Sequence, residues 1–215
     1  LGEPTPYNEG TPARSSYFGI VDLAGMKKDR FYLYQSKWSK TPVLHLLPHW
    51  NWEERLGQNV PVFCYTNYPK AELFINGKSM GMKEKSKYNR YRMMWRDITY
   101  QPGEIKVVAY NHEGLPVDTA AIKTAGETYR LRTTVDRREI KADGQDLAFV
   151  TVEIVDKEGN LCPKADNLLF FEVEGNAHLK AACNGDPTSQ TSFASSYMRT
   201  FNGKLMLIVE AGDVV

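Results

Sequence analysis

Two spacings of apolar side chains divide the 215-residue chain into a short N-terminal part and a long remainder. In the N-terminal part, side chains recur at helical intervals on one stripe, which consists of Met26, Arg30, Tyr34 and Trp38 with Phe31 beside it. This stripe predicts an amphipathic helix over residues 26–38 that ends before Pro42. We expect its apolar stripe to pack on the domain that follows or to mediate self-association. From about residue 42 onward, apolar and polar positions alternate, as is typical of half-buried strands.

A first series of short strands follows the helix, with a turn signal roughly every ten residues. These strands are predicted over 60–66, 71–75, 91–100, 105–110 and 116–123. Between the second and third of them stands Asn76-Gly77, the pair that a two-residue type I′ hairpin favours because both central residues need a positive φ. Short strands at this spacing predict a β-sandwich of the immunoglobulin-like class.

A second series of strands occupies the C-terminal part of the chain. It is predicted over 129–135, 147–156, 168–173, 178–182 and 204–210. In the second of these strands the inward-facing positions are predicted to be Ala148, Val150, Val152 and Ile154. Five strands are fewer than the roughly seven of an immunoglobulin-like sandwich. We therefore expect this sandwich to lack its last strand.

The pattern thus predicts a mainly β protein with two immunoglobulin-like sandwiches in tandem, preceded by a loop and one α-helix. The expected boundaries are 1–40 for the loop and helix, 41–125 for the first sandwich and 126–215 for the second. The chain begins at Leu1 without a methionine and stops at Val215 straight after an apolar run. These two ends predict that it is a piece of a longer protein.

Composition narrows the classes of function. The chain carries 27 Lys and Arg against 26 Asp and Glu, a formal net charge of +1, so it lacks the basic surplus that nucleic-acid binding normally requires. A hydrophobic content of 42% argues against disorder. No apolar run approaches the roughly 18 residues of a membrane span. Among three cysteines, the pairing of Cys162 with Cys183 stays open, and buried free thiols are the favoured interpretation.

Two groups of residues have spacings that could carry chemistry. His45 and His49 are spaced as metal ligands on a helix would be, but Pro48 lies between them and no third ligand is near, so we expect no metal site and no cofactor. The basic segment 78–96 interleaves lysines and arginines with aromatic residues. It follows the Asn-Gly hairpin and alternates like an edge strand, where lysines prevent aggregation, so a solvated edge is favoured over a nucleic-acid surface.

Trp50 and Trp52 leave two interpretations open. Paired tryptophans can stack on sugar rings, which would make the first sandwich a carbohydrate-binding module. Tryptophan also combines a large buried area with one N–H to satisfy, and the favoured interpretation is that the pair anchors the sandwich against a neighbouring domain. The chain has no phosphate-binding loop, nucleophile elbow or dinucleotide fingerprint, so we expect no catalytic residues in it.

Several motifs resemble glycoside hydrolase family 2, the β-galactosidase type. The end of that family's catalytic barrel is similar to GEPTPY at 2–7, SSYFGIVDLAG at 15–25 and KDRFYLY at 28–34. The immunoglobulin-like domain after the barrel is similar to LPHWNW at 47–52 and ELFINGKSMG at 72–81. The next sandwich is similar to NGDPTS at 184–189 and FNG at 201–203. The resemblance covers essentially the whole chain, with one departure at Cys183, where the family more often has a small residue such as glycine.

The resemblance implies that the chain is the C-terminal part of a retaining glycoside hydrolase that acts on terminal β-linked sugars. Both catalytic glutamates would lie upstream, so none carries over to this chain. Residues 1–40 would be a remnant of a TIM barrel, and the residues bordering its substrate mouth would be Glu3, Tyr7, Asn8 and Arg14. The implied partners are the protein's own barrel, a carbohydrate substrate and further copies in a homo-oligomer.

The resemblance also favours a periplasmic or extracellular location, as expected for a bacterial enzyme that degrades polysaccharides. The alternative to an enzyme part is a non-catalytic carbohydrate-binding or adhesive sandwich module that uses Trp50 and Trp52.

Overall fold

The computed structural model describes residues 18–87 and 92–213. Antiparallel strands dominate, which confirms the predicted mainly β class. The chain forms two compact units. One unit spans Lys27–Ala125, and the other contains the residues from Gly126 onward together with the described residues before Lys27.

Where the structure describes it, the first unit contains one α-helix and seven strands. They are α1 (Asp29–Trp38), β1 (Leu44–Leu47), β2 (Val62–Thr66), β3 (Lys70–Ile75), β4 (Lys78–Glu84), β5 (Arg92–Trp95), β6 (Glu104–Tyr110) and β7 (Pro116–Lys123), with a short 3-10 helix at Glu53–Arg55. The strands form two antiparallel sheets in the orders β1-β2-β5 and β4-β3-β6-β7. Apolar side chains from both sheets form one core around Trp50.

The hairpin between β3 and β4 has the predicted turn. Asn76 and Gly77 both adopt a positive φ, 48° and 81°, as a type I′ turn requires. The hairpin places β4 at the edge of its sheet, with most of its side chains exposed. The predicted edge strand is therefore confirmed.

Helix α1 is shorter than predicted and packs through a different face. It contacts β1 and β2, with the Tyr32 ring stacked on His45 at 3.9 Å between centroids and Ser36 buried. Tyr34 and Trp38 stack on each other in solvent, and Trp38 is 74% exposed. The expectation that the stripe of Tyr34 and Trp38 packs on the sandwich is wrong, because the contact with His45 turns the opposite face of the helix inward. The alternative, self-association through this stripe, stays a prediction. No helix in the described ranges is long and apolar enough to cross a membrane.

The described part of the second unit contains six strands. They are β8 (Arg130–Val135), β9 (Leu147–Val155), β10 (Leu168–Phe170), β11 (Ala177–Cys183), β12 (Tyr197–Arg199) and β13 (Lys204–Ala211). Four of them form a sheet in the order β11-β13-β9-β8, and β10 pairs with β12 in a two-stranded ribbon. Val152 and Ile154 on β9 are buried while Phe149 is exposed, which confirms the predicted inward face up to Ile154; Val155, which the alternation places on the opposite face, is buried as well. Strand β12 was not predicted from the sequence.

The two layers of the second unit differ in width. Its core cluster consists of Val152, Ala182, Met198 and Leu205, all on β9, β11, β12 and β13. All six side chains of β8 are exposed, including the apolar Leu131 and Val135. A two-stranded layer covers the centre of a four-stranded sheet and leaves its β8 margin uncovered.

A carboxylate on the four-stranded sheet bridges three strands. Glu153 on β9 is paired in register with Arg132 on β8 and with Lys204 on β13. Its two oxygens lie 2.8 Å from a guanidinium nitrogen of Arg132 and 2.7 Å from Nζ of Lys204. Burial acts to raise the pKa of Glu153, but the hydrogen bonds and charges of Lys204 and Arg132 outweigh it and hold the pKa below its usual value.

We predict that Glu153→Gln destabilises the second unit in a pH-dependent way. Because the folded-state pKa is lowered, the carboxylate stabilises the fold fully above the ordinary glutamate pKa of about 4.3, and this stabilisation is lost as the pH falls through the lowered value. The urea midpoints of wild type and variant should therefore converge on acidification from neutral pH. Glu84→Gln, which breaks an exposed pair with Lys70, should shift the midpoint little at any pH. A midpoint difference for Glu153→Gln that stays constant with pH would contradict the assignment.

The turn between β12 and β13 generates a second prediction. Gly203 has a φ of 73°, and a Cβ added there would lie 2.3 Å from the carbonyl oxygen of Cys162, a backbone atom that cannot swing aside. Gly203→Ala should lower the free energy of unfolding by more than about 2 kcal/mol, since a strained φ alone costs about 1–2 kcal/mol. At Gly175, φ is 90° and nothing lies within 4 Å of an added Cβ, so Gly175→Ala should incur only the φ cost. Equal losses in chemical denaturation would show that the contact with Cys162 is unimportant.

Candidate functional site

The residues predicted to border a substrate mouth all lie near the N-terminus. Glu3, Tyr7, Asn8 and Arg14 fall outside the described residues. Their role stays a prediction.

Trp50 is fully buried in the core of the first unit. Its indole N–H donates a hydrogen bond of 2.9 Å to the carbonyl oxygen of Gln101, and its ring meets the edge of Tyr100 at 5.0 Å between centroids. A ring enclosed on all sides offers no face to a sugar. In this structure Trp50 fills the space between the two sheets.

Trp52 is half-buried, and its ring has neighbours of its own. Its N–H donates to the carbonyl oxygen of His49 at 2.7 Å, and the two rings are stacked at 4.4 Å between centroids. The guanidinium of Arg55 lies 5.4 Å from the ring centroid, within the range of a cation–π contact. A contact between Trp52 and a sugar stays a prediction.

The residue between the two tryptophans has a role that was missed from the sequence. Asn51 is buried and forms two hydrogen bonds with the backbone of Ala125: its Nδ2 donates to the carbonyl oxygen at 2.8 Å, and its Oδ1 accepts the N–H at 3.0 Å. Nδ2 also donates to Glu53 at 3.1 Å. No local signal could have revealed this contact, because its partner lies 74 residues further along the chain.

The two histidines with metal-like spacing have separate roles. His45 on β1 lies 2.8 Å from a carboxylate oxygen of Asp29 and stacks on Tyr32. The Nδ1 atom of His49 accepts the backbone N–H of Asn51 at 3.2 Å. Within residues 18–87 and 92–213, no group of three or more His, Cys, Asp or Glu side chains could hold a metal ion.

The basic segment carries charges of both signs where the structure describes it. A surface groove of about 290 Å³ lies beside β4 and β5, and its lining residues are Lys83, Glu84, Met93, Met94, Arg96 and Asp97. Two carboxylates thus alternate with two cations in one groove. This mixture differs from the uniformly positive surface that a phosphate backbone attracts.

The three cysteines are free and buried, so Cys162 and Cys183 do not pair. Burial raises the pKa of the Cys64 thiol to about 12 and that of Cys183 to about 11. Thiols that stay protonated at neutral pH are poor nucleophiles and poor metal ligands. These side chains therefore act as small apolar groups in the two cores.

Family models match parts of both units. A family model described as glycoside hydrolase family 2 C-terminal domain 5 matches residues 131–214, and a model of a domain of unknown function, DUF4982, matches residues 57–118. The protein named β-galactosidase BoGH2A from Bacteroides ovatus is 49% identical over 98% of this chain. A protein named putative β-glucuronidase from Formosa agariphila is 32% identical, also over 98% of the chain.

Solved structures agree with these matches. A β-glycosidase from Bacteroides vulgatus superposes with a TM-score of 0.88 at 32% identity, covering 94% of this chain and 26% of that one. A glycosyl hydrolase family 2 member from Bacteroides cellulosilyticus gives a TM-score of 0.85 at 32% identity, covering 93% and 29%.

The chain spans only 24% of the Bacteroides ovatus protein and 20% of the Formosa agariphila protein. Its similarity to them is nevertheless continuous across both units, and the family model of the second unit is that of a C-terminal domain. Residues 131–214 thus match a C-terminal domain of glycoside hydrolase family 2, and the chain as a whole is similar to members of that family.

Proposed function

We propose that the chain is the C-terminal part of a retaining glycoside hydrolase of the β-galactosidase type, which removes terminal β-linked sugars. The observation that carries this proposal is the identity of 49% with a protein named β-galactosidase over 98% of the chain. Relatives named β-glucuronidase match at 32% identity or less. A galactoside is therefore the first choice of substrate.

In this proposal the chain supports a catalytic barrel and supplies neither catalytic carboxylate. Retaining glycosidases use two carboxyl groups about 5–5.5 Å apart, which the family carries on its barrel. Residues 1–40 would be the barrel remnant, with residues 41–125 and 126–215 as supporting sandwiches, the second without its last strand. The solvent-facing pair Tyr34 and Trp38 supports this role, since two stacked aromatic side chains exposed together offer a contact surface.

Three further parts of the proposal concern the longer protein. Glu3, Tyr7, Asn8 and Arg14 would border its substrate mouth, because the loops that follow barrel strands form the active-site face. The sandwiches would also provide surfaces for a homo-oligomer. A periplasmic or extracellular location would suit an enzyme that degrades polysaccharides.

We predict that the purified 215-residue chain does not hydrolyse 4-nitrophenyl β-galactoside, because it lacks the catalytic pair. The longer polypeptide that contains this chain after its barrel should release nitrophenol from the same substrate. It should act more slowly on 4-nitrophenyl β-glucuronide, which serves as the substrate control.

Two outcomes would contradict the proposal. Turnover by the 215-residue chain alone would show that catalytic residues lie within it. A longer polypeptide that is folded, yet inactive on both nitrophenyl glycosides, would overturn the assignment to this class of hydrolase.

A further inference from the structure

The outer face of the ribbon formed by β10 and β12 carries an exposed pair of aromatic side chains. Phe170 and Tyr197 are direct cross-strand partners, with ring centroids 6.0 Å apart and ring planes tilted by 43°. Phe170 is 75% exposed and Tyr197 is 43% exposed. Met198, which lies between Tyr197 and Arg199 on β12, is fully buried in the core of the second unit. The pairing of β10 with β12 therefore holds both aromatic side chains on the outer face of the ribbon, where each is exposed.

Aliphatic and polar side chains extend this face. Leu168 and Arg199 are the next outward-facing cross-strand pair, and Leu168 is exposed. Arg199 donates one hydrogen bond of 3.0 Å to the carbonyl oxygen of Asp166, which holds its guanidinium beside the ribbon. Glu172, two residues beyond Phe170 in the chain, is also exposed. The face thus carries apolar side chains with the guanidinium of Arg199 beside them as a hydrogen-bond donor.

We propose that this face, formed by Leu168, Phe170, Tyr197 and Arg199 and named here the ribbon platform, binds a neutral β-linked sugar chain. A pyranose ring presents C–H groups of slight positive charge on its flat side, and aromatic faces are negative. Its hydroxyl oxygens accept hydrogen bonds, which suits the guanidinium of Arg199 as a donor.

The size and charge of the ribbon platform favour a neutral sugar over a protein partner or an anionic polymer. A stable protein interface engages about 20–30 residues on each side, whereas the platform comprises four side chains. Within the described residues 166–174 and 197–199, the charged side chains are the carboxylates Asp166, Glu172 and Glu174 and the guanidinium of Arg199, so anionic polymers are disfavoured. The choice of a sugar among small neutral ligands rests on the proposed function.

The test measures binding by the 215-residue chain without any hydrolysis. Titration calorimetry with a soluble neutral β-galactan should give saturable binding, and an acidic polygalacturonate should bind more weakly. Phe170→Ala and Tyr197→Ala should each weaken galactan binding by about tenfold, the effect expected for loss of a stacked aromatic contact. Both side chains are exposed, so the thermal midpoint should change little.

Trp38→Ala is the matched control, because Trp38 is 74% exposed and stacks on Tyr34 much as Phe170 contacts Tyr197. Galactan affinity should be unchanged in this variant. Absence of saturable galactan binding, equal losses in Phe170→Ala and Trp38→Ala, or tighter binding of polygalacturonate would each overturn the ribbon platform. Because hydrolysis by the longer polypeptide is measured separately, failure of the platform and failure of the proposed function are distinguishable.

Discussion

The complete burial of Trp50 is the constraint on which the first unit depends. Burial of the indole also desolvates its N–H and the surrounding backbone, so each of these polar groups needs a hydrogen-bond partner within the protein. The N–H of Trp50 bonds to Gln101, just before β6, while its carbonyl oxygen accepts the Thr124 hydroxyl at 2.6 Å, just after β7. Asn51 adds the two bonds to Ala125. One short loop thereby holds both ends of the β6–β7 hairpin against the opposite sheet.

Features encoded by neighbouring residues could be predicted from the sequence. The Asn76-Gly77 turn follows from the φ angles of two adjacent residues, and the inward face of β9 follows from strict alternation. The face through which α1 packs could not be predicted from the helix sequence. It is set by the contact between Tyr32 and His45, and His45 lies on β1, outside the helix. Strand β12 has only three residues, too few to establish a period.

The candidate sites also divide into features that neighbouring residues encode and features that depend on contacts distant in the sequence. Sequence motifs identify the family, since they are long and local. They do not reveal which aromatic side chains are exposed: Trp50 and Trp52 are two residues apart, yet one is fully buried and the other half-buried. Phe170 and Tyr197 are 27 residues apart and become neighbours only through strand pairing. Strand pairing also explains why Arg132 and Lys204, which are far from Glu153 in the sequence, both meet its carboxylate.

The uncovered margin at β8 has a consequence for the dynamics of the second unit. Strands β9 and β13 lie between two neighbours each and contribute buried side chains to the core, whereas β8 has one neighbour and no buried side chain. Local opening requires the least free energy where few apolar contacts are broken. Amide hydrogens should therefore exchange first along β8 and last along β13, so the sheet loosens from one side while its centre stays closed.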